Sequence, residues 1–410
     1  MKTHHPLLLL FALAMLTTLG CGHQSPLAPA QTGLNGGSAT LRQAAWSAGN
    51  PVHIEGVIGP GALYSIDVPA NWNGDLVLYA HGYTLVQEPV DLPQGGFPGI
   101  RDQMLARGFA VATTSFSSNG FAEAEGARQV HQLRGLFTSR VQAPARTFLV
   151  GSSLGGLISV DLLQTFPDQY AGALSVSGPL GGTRAEFQYV GDVRLLYDLL
   201  MPCPLPGTFA EVPAIPLPQN DIVACILQHQ QQFGILVSTR REGGFPVAGN
   251  NANELVTSVV STIGFHWYGI GDGIDRAHGH MVYDNQDAVY VSGVLPPQVL
   301  AGINAGIARY TATPDAANFL RQHYEPSGVL ERPLLTIHAE RDRLVPWGHE
   351  QLLLDRVTAA GGLGNLSQSH YARYGHTEAF SATDVGAAFD ALVAWTNTGV
   401  KPASPVPLGP

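Results

Sequence analysis

Apolar and polar positions along this chain fall into short blocks, and the period within each block predicts an element. VHIEGVI (Val52–Ile58) and ALYSIDV (Ala62–Val68) interleave apolar with polar residues on either side of Gly59-Pro60-Gly61. That arrangement predicts an antiparallel strand pair joined by a turn. DLVLYA (Asp75–Ala80) and FAVATTSF (Phe109–Phe116) are β-rich runs with the length of buried strands. From Ala122 to Phe137 the apolar residues recur at helical spacing, TFLV (Thr147–Val150) is a strand, Leu154 to Phe166 a helix, and AGALSVSG (Ala171–Gly178) a strand. The alternation resumes late in the chain with PLLTIHAE (Pro333–Glu340), a helix from His349 to Ala360, and a terminal helix near Val385–Trp395. Strand alternating with helix implies an α/β fold, a mostly parallel twisted sheet with helices on both faces.

Between Pro179 and Arg332 the rhythm breaks. This stretch is rich in Pro, Gly and aromatic residues, with only weak helical periodicity. It is far longer than the roughly 15 residues that a structureless connection usually reaches. It reads as a cap, residues 179–332, inserted into a core formed by residues 51–178 and 333–398. Residues 21–50 are small, polar and Pro/Gly-rich and read as a flexible tether, and residues 399–410 read as a disordered tail. There is no internal repeat.

Composition narrows the field. A net charge of −10 without long single-sign runs argues against binding nucleic acid or an anionic membrane through charge. The first 20 residues, with a short basic start and an apolar run from Pro6 to Leu16, read as an export signal. The run is too short to predict a membrane-spanning helix. Thr18-Leu19-Gly20-Cys21 resembles a bacterial lipoprotein signal, in which Cys21 would carry the lipid; Thr18 stands where such signals usually have Leu. Lipidation at Cys21 and ordinary secretory cleavage are both open, and either one exports the chain. Any attachment to a membrane would then run through that N-terminal lipid. In an oxidising compartment Cys203 and Cys225, 22 residues apart, either form a disulfide, worth about 3 kcal/mol in the chain-entropy model, or remain buried thiols. No ligand spacing predicts a metal site.

The junction TFLVGSSLGGLISV (Thr147–Val160) holds the candidate chemistry. Gly151-Ser152-Ser153-Leu154-Gly155 fits G-x-S-x-G centred on Ser153, after a predicted strand and before a predicted helix. Only small residues fit two positions either side of a serine held on so sharp a turn. The strained turn exposes Oγ, and the helix N-terminus aims its amides at a developing oxyanion. With this motif in this context the sequence resembles the α/β-hydrolase superfamily, from Val52 to Trp395 apart from the insertion, and within it the secreted bacterial carboxylesterases and lipase-like enzymes.

The resemblance implies an order: nucleophile, then acid, then histidine. Glu340-Arg341-Asp342-Arg343-Leu344-Val345-Pro346 is similar to the family's H-G-x-x-D-x-x-V-P run, with Ala339 in place of Gly, and assigns the acid to Asp342, with Glu340 as the competing carboxylate. His376 follows a strand-like run and Gly375, 34 residues after Asp342, and is assigned as the base; His370, within the strand run, reads as a satisfied structural residue. His338 is expected near the strand-end loop behind the site, and His53, His278 and His280 at the surface or in the cap. His81-Gly82-Tyr83 after a strand is similar to the family's H-G-x turn, which implies an oxyanion hole made by the backbone N–H groups of Tyr83 and Leu154. The third glycine of the HGGG esterases is absent.

What the resemblance implies is a cofactor-independent serine hydrolase cleaving small-molecule or polymeric carboxylic esters, including lipid, aromatic or polyester substrates. A serine peptidase on the same fold, and a non-catalytic surface binding protein, are the alternatives. The cap aromatics Phe209, Phe245, Phe265, Trp267, Tyr268, Tyr283 and Tyr290 either wall a substrate pocket or form the cap's own core. The sequence does not specify an oligomeric state.

Overall fold

The structure is a computed structural model that describes residues 47–323 and 325–409. The expected export signal, Cys21 and most of the tether lie outside the described residues.

Strands β1 (Val52–Ile58) and β2 (Ala62–Val68) form the expected antiparallel pair, from Val52 opposite Val68 to Ile58 opposite Ala62. Then follow β3 (Leu76–Ala80), α1 (Phe97–Ala106), β4 (Ala110–Thr114), α2 (Glu123–Arg140), β5 (Thr147–Ser152), α3 (Leu154–Thr165) and β6 (Gly172–Val176). After the insertion come β9 (Leu334–Arg341), α10 (Gly348–Ala359), β10 (Leu366–Tyr374) and α11 (Ala382–Thr398). The eight strands make one sheet in the order β1-β2-β4-β3-β5-β6-β9-β10. Only β2 runs against the rest.

The central strands read as unbroken apolar runs because helices cover both faces, and the two-residue period sorts each strand between two cores. Leu76, Leu78 and Ala80 of β3 join Ala110, Ala112 and Leu149 beneath α2 and α3. Val77 and Tyr79 join Val111, Phe148 and Val150 beneath α1 and α11. A one-residue slip would exchange these sets, so packing fixes the register. Helix α11 is held by a capping box between Ser381 and Asp384 and ends at Gly399 with φ +71°, a conformation that glycine adopts without strain.

β6 and β9 are parallel neighbours in the sheet although the whole insertion separates them in sequence. The insertion therefore leaves the sheet at the C-terminal end of β6 and the chain crosses back to the opposite end, where β9 begins. It is more helical than its sequence pattern predicts: α4 (Thr183–Leu200), α5 (Gln219–Gln228), α6 (Gln230–Ser238), α7 (Ala252–Arg276), α8 (Pro297–Gly306) and α9 (Pro314–His323), with a short ladder of β7 (Arg240–Arg241) and β8 (Tyr290–Val291). Two causes hid these helices. Prolines and glycines crowd the connections, and α4 buries Glu186, Asp192 and Arg194 among its apolar residues, which blurs the helical period. Cys203 and Cys225 form a disulfide that ties the segment after α4 to α5.

The C-terminal segment corrects the expectation of a disordered tail. Val406 is buried, its N–H donates to Ser369 Oγ at 3.0 Å, and its carbonyl accepts from Tyr371 Oη at 2.6 Å. Val406 and Leu408 add to the core under α11, so the tail packs along the edge strand β10. No helix among the described residues is long and apolar enough to cross a membrane.

Candidate active site

Ser153 stands between β5 and α3 with φ 55° and ψ −125°. This strained geometry is rare for a residue with a side chain. The glycines around it are sterically required. A Cβ at Gly151 would overlap the Gly155 carbonyl, and one at Gly155 the carbonyls of Ala80 and His81. The strand and helix approach too closely to admit a methyl group at either position.

His376 and Asp342 reach Ser153 from two other segments. The Ser153 hydroxyl donates to His376 Nε2 at 2.8 Å, and His376 Nδ1–H donates to Asp342 Oδ2 at 2.7 Å. The acceptor-only carboxylate fixes the proton on Nδ1 and leaves the Nε2 lone pair facing the hydroxyl. Asp342 is fully buried just after β9, and its Oδ1 accepts the N–H groups of Leu344 and Val345, each at 2.9 Å. Burial works to raise its pKa, but His376 and His338 beside it more than offset that and hold it below the ordinary carboxylate range. Gly375, with φ +124°, turns the chain out of β10 toward His376. The His376 N–H is then held by Glu378 Oε1 at 3.0 Å, a carboxylate also bound by Arg343.

The loop after β3 covers the other side of Ser153. A Cβ on Gly82 would stand 3.1 Å from Ser153 Cβ and 3.3 Å from the Ser152 carbonyl, so glycine lets this backbone lie against the turn. His81 is buried, stacks on Phe116, and donates from Nδ1 to the Gly82 carbonyl at 2.7 Å; burial lowers its pKa. The Tyr83 hydroxyl donates to the Tyr268 carbonyl in α7 at 3.1 Å, and its ring meets Phe121 and Phe265 edge-on. The cap's longest helix is thus fastened to the loop that borders Ser153. Leu154 is the first residue of α3, where an N–H has no acceptor within its own helix.

These groups open into a cavity of about 470 Å³ whose lining includes Ser153, His376, Gly82 and Tyr83. Its apolar walls come from Phe97 and Ile100 of α1, Phe265 of α7, Phe380 and Val385. Inside it Tyr79 Oη donates to Ser152 Oγ at 3.3 Å. The cap aromatics divide between the two roles open in the sequence: Phe265 lines this cavity, whereas Phe209, Trp267, Tyr283 and Tyr290 are buried in the cap's own core.

Among the remaining histidines, His338 is fully buried behind Asp342. His370 differs from its expectation as a satisfied structural residue: it is half exposed, lies 3.8 Å from Glu340 and leans on Trp347. Its position on an edge strand explains the exposure. His53 is exposed and bonds Asp67 at 2.7 Å. Glu340 is exposed and lies beside His370, while the carboxylate bonded to His376 is that of Asp342. Cys203, Cys225 and His229 lie close enough to hold a metal, but the disulfide ties up both sulfurs and leaves no thiolate to bind one.

Sequence reasoning missed three buried groups near the site. Glu350, in the first turn of α10, accepts from His338; Glu186 and His349 pair at 2.9 Å. Nothing in the local pattern separates Glu350 from a solvated carboxylate at a helix start.

The strand order, the serine turn after β5, and an acid after β9 followed by a histidine after β10 define the α/β-hydrolase fold. No protein-family model and no curated protein sequence matches the chain. Solved structures similar to it include feruloyl esterase B from Aspergillus oryzae, at 15% identity and TM-score 0.46 over 86% of this chain and 81% of that one. Candida antarctica lipase A is similar at 13% identity and TM-score 0.43, over 88% and 80%. The Pyrococcus horikoshii acylaminoacyl peptidase is similar at 11% and 0.41, over 80% of this chain and 38% of that one.

Proposed function

We propose that this chain is an exported serine hydrolase that cleaves carboxylic esters through an acyl-enzyme. The observation carrying this reading is the unbroken relay from the Ser153 hydroxyl through His376 to buried Asp342, set at the wall of a cavity. In the first half-reaction Ser153 Oγ attacks the ester carbonyl while its proton passes to His376 Nε2. Asp342 stabilises the resulting imidazolium. The N–H groups of Tyr83 and Leu154 receive the oxyanion, and the first-turn position of Leu154 and the close approach of the Gly82 backbone support those roles. His376 returns the proton to the departing alcohol, leaving Ser153 acylated. Water, deprotonated by His376, then releases the acid and restores the hydroxyl. Every step balances without a cofactor.

Apolar walls from Phe97, Ile100, Phe265 and Phe380 support a hydrophobic or aromatic acyl group. The Cys203–Cys225 disulfide supports an oxidising compartment and hence export, with Cys21 as the lipid attachment point. On this reading Ser153→Ala loses on the order of 10⁴-fold or more in kcat on p-nitrophenyl esters and keeps the wild-type circular dichroism. Retained turnover in that variant would overturn the assignment. Faster cleavage of aminoacyl anilides than of esters by the wild type would replace the esterase with a peptidase.

A further inference from the structure

Two histidine–carboxylate pairs lie buried behind Asp342, and their hydrogen bonds leave one imidazole neutral and give the other an acceptor at each nitrogen. In the first, His349 Nδ1 accepts the Gly181 N–H at 3.0 Å, so that nitrogen is bare, and Nε2–H donates to Glu186 at 2.9 Å. His349 is therefore neutral. In the second, both nitrogens of His338 face acceptors: Nε2 the Val345 carbonyl at 2.9 Å, and Nδ1 the Glu350 carboxylate at 3.2 Å. A carbonyl oxygen cannot donate, so Nε2 carries a proton. Glu350 accepts two further bonds, from Thr336 Oγ1 at 2.7 Å and Gln368 Nε2 at 2.6 Å, as an ionised carboxylate does. With Oε2 taken by those two donors, an ionised Glu350 turns Oε1 to accept from a protonated Nδ1.

We propose that His338 is held as an imidazolium and acts as a positioning residue that sets the proton affinity of His376 through Asp342. Its Nε2 lies 3.4 Å from Asp342 Oδ2, the same oxygen that accepts from His376 Nδ1 at 2.7 Å. The carboxylate thus sits between two imidazoles. A proton arriving on His376 places a second positive charge beside one already present. A base next to a buried anion would otherwise bind its proton too tightly to return it to a leaving group; the cation behind Asp342 counters that pull.

The charged and titratable groups around this pair come from several elements. His376 meets Ser153, Asp342 and, at its backbone N–H, Glu378 with Arg343. His338 meets Asp342 and Glu350. Glu186 of α4 and His349 of α10 lie close by, and Asp342, His376 and His338 all act on the Glu186 carboxyl. Burial, followed by Asp342, pushes that carboxyl up and favours its neutral form, so the cation beside Asp342 is the His338 ring, with the Glu350 carboxylate bound at its other nitrogen. Burial alone would lower the His338 pKa, but hydrogen bonds and attraction to Asp342 and Glu350 outweigh it and raise it to about 10.

The inference rests on the proposed Ser153–His376–Asp342 relay, and its test reads ring protons without turnover, so the two can fail separately. In the ¹⁵N-histidine-labelled protein, long-range ¹H–¹⁵N spectra are expected to show both His338 nitrogens protonated at pH 8. In His338→Gln, which keeps a donor for the Val345 carbonyl, the His376 titration is expected to move up by about 1–2 pH units, from the Coulomb energy of two nearby charges at an effective dielectric of 20. The acid limb of kcat/KM for an ester should move with it. A His338 ring with one bare nitrogen at pH 8 in the wild type would overturn the proposal, whether or not the variant folds. So would a folded variant whose His376 titration stays in place.

Discussion

At the scale of single residues, Ser153 is held at φ 55° on a turn whose neighbours at 151 and 155 have no room for a side chain. Gly151 and Gly155 flank Ser153 because carbonyls occupy the space a Cβ would take, and that crowding is what makes the motif readable. Gly151→Ala is expected to cost about 3 kcal/mol or more, since the clash is with backbone that cannot move aside. Gly234→Ala, in α6 with open space around it, should be neutral or stabilising by up to about 1 kcal/mol. Urea unfolding of both variants checks this; equal midpoints would contradict it. Asp342 and His376 were legible for a different reason, because each follows a strand in the expected chain order. Glu350 and Glu186 were not, because a carboxylate's burial is set by elements distant in sequence.

At the scale of elements, legibility followed the clarity of the period. The core strands and the helices α2, α3, α10 and α11 carry patterns of their own, and their bounds moved by only a few residues. Helix α1 was missed because Pro98 and Gly99 sit in its first turn and its buried face is only Phe97, Ile100 and Met104. That omission mattered, since α1 supplies two walls of the cavity. The cap helices were missed for the opposite reason. Glu186, Asp192 and Arg194 lie on buried positions of α4 and break its apolar period, and α7 carries glycines where Phe121 and Phe187 pack closely against it. The tail was read from composition alone, and composition does not report that Val406 fills a space beside Phe389 and Tyr371 in the core under α11.

At the scale of the whole molecule, the buried titratable groups make stability depend on pH. Burial and the Arg194 guanidinium push the pKa of His266 well below 6.5 within the cap. The unfolded chain therefore binds a proton below about pH 6.5 that the folded chain does not, so His266 removes stability as pH falls. Glu186 and His349 shift in opposite directions, the carboxyl upward and the imidazole down to about 3, and their effects on the slope oppose each other. Lowering the pH from 7 to 5 is expected to reduce the melting temperature of the wild type more than that of His266→Leu. Equal reductions would show that His266 contributes nothing to the acid limb of stability.

The central claim concerns one oxygen atom, and a chemical label tests it most directly. Treatment of the folded chain with a fluorophosphonate, followed by peptide mass mapping, is expected to place a single adduct on Ser153 and none in His376→Ala under the same exposure. An adduct on another residue, or an unlabelled protein with an intact fold, would contradict the account.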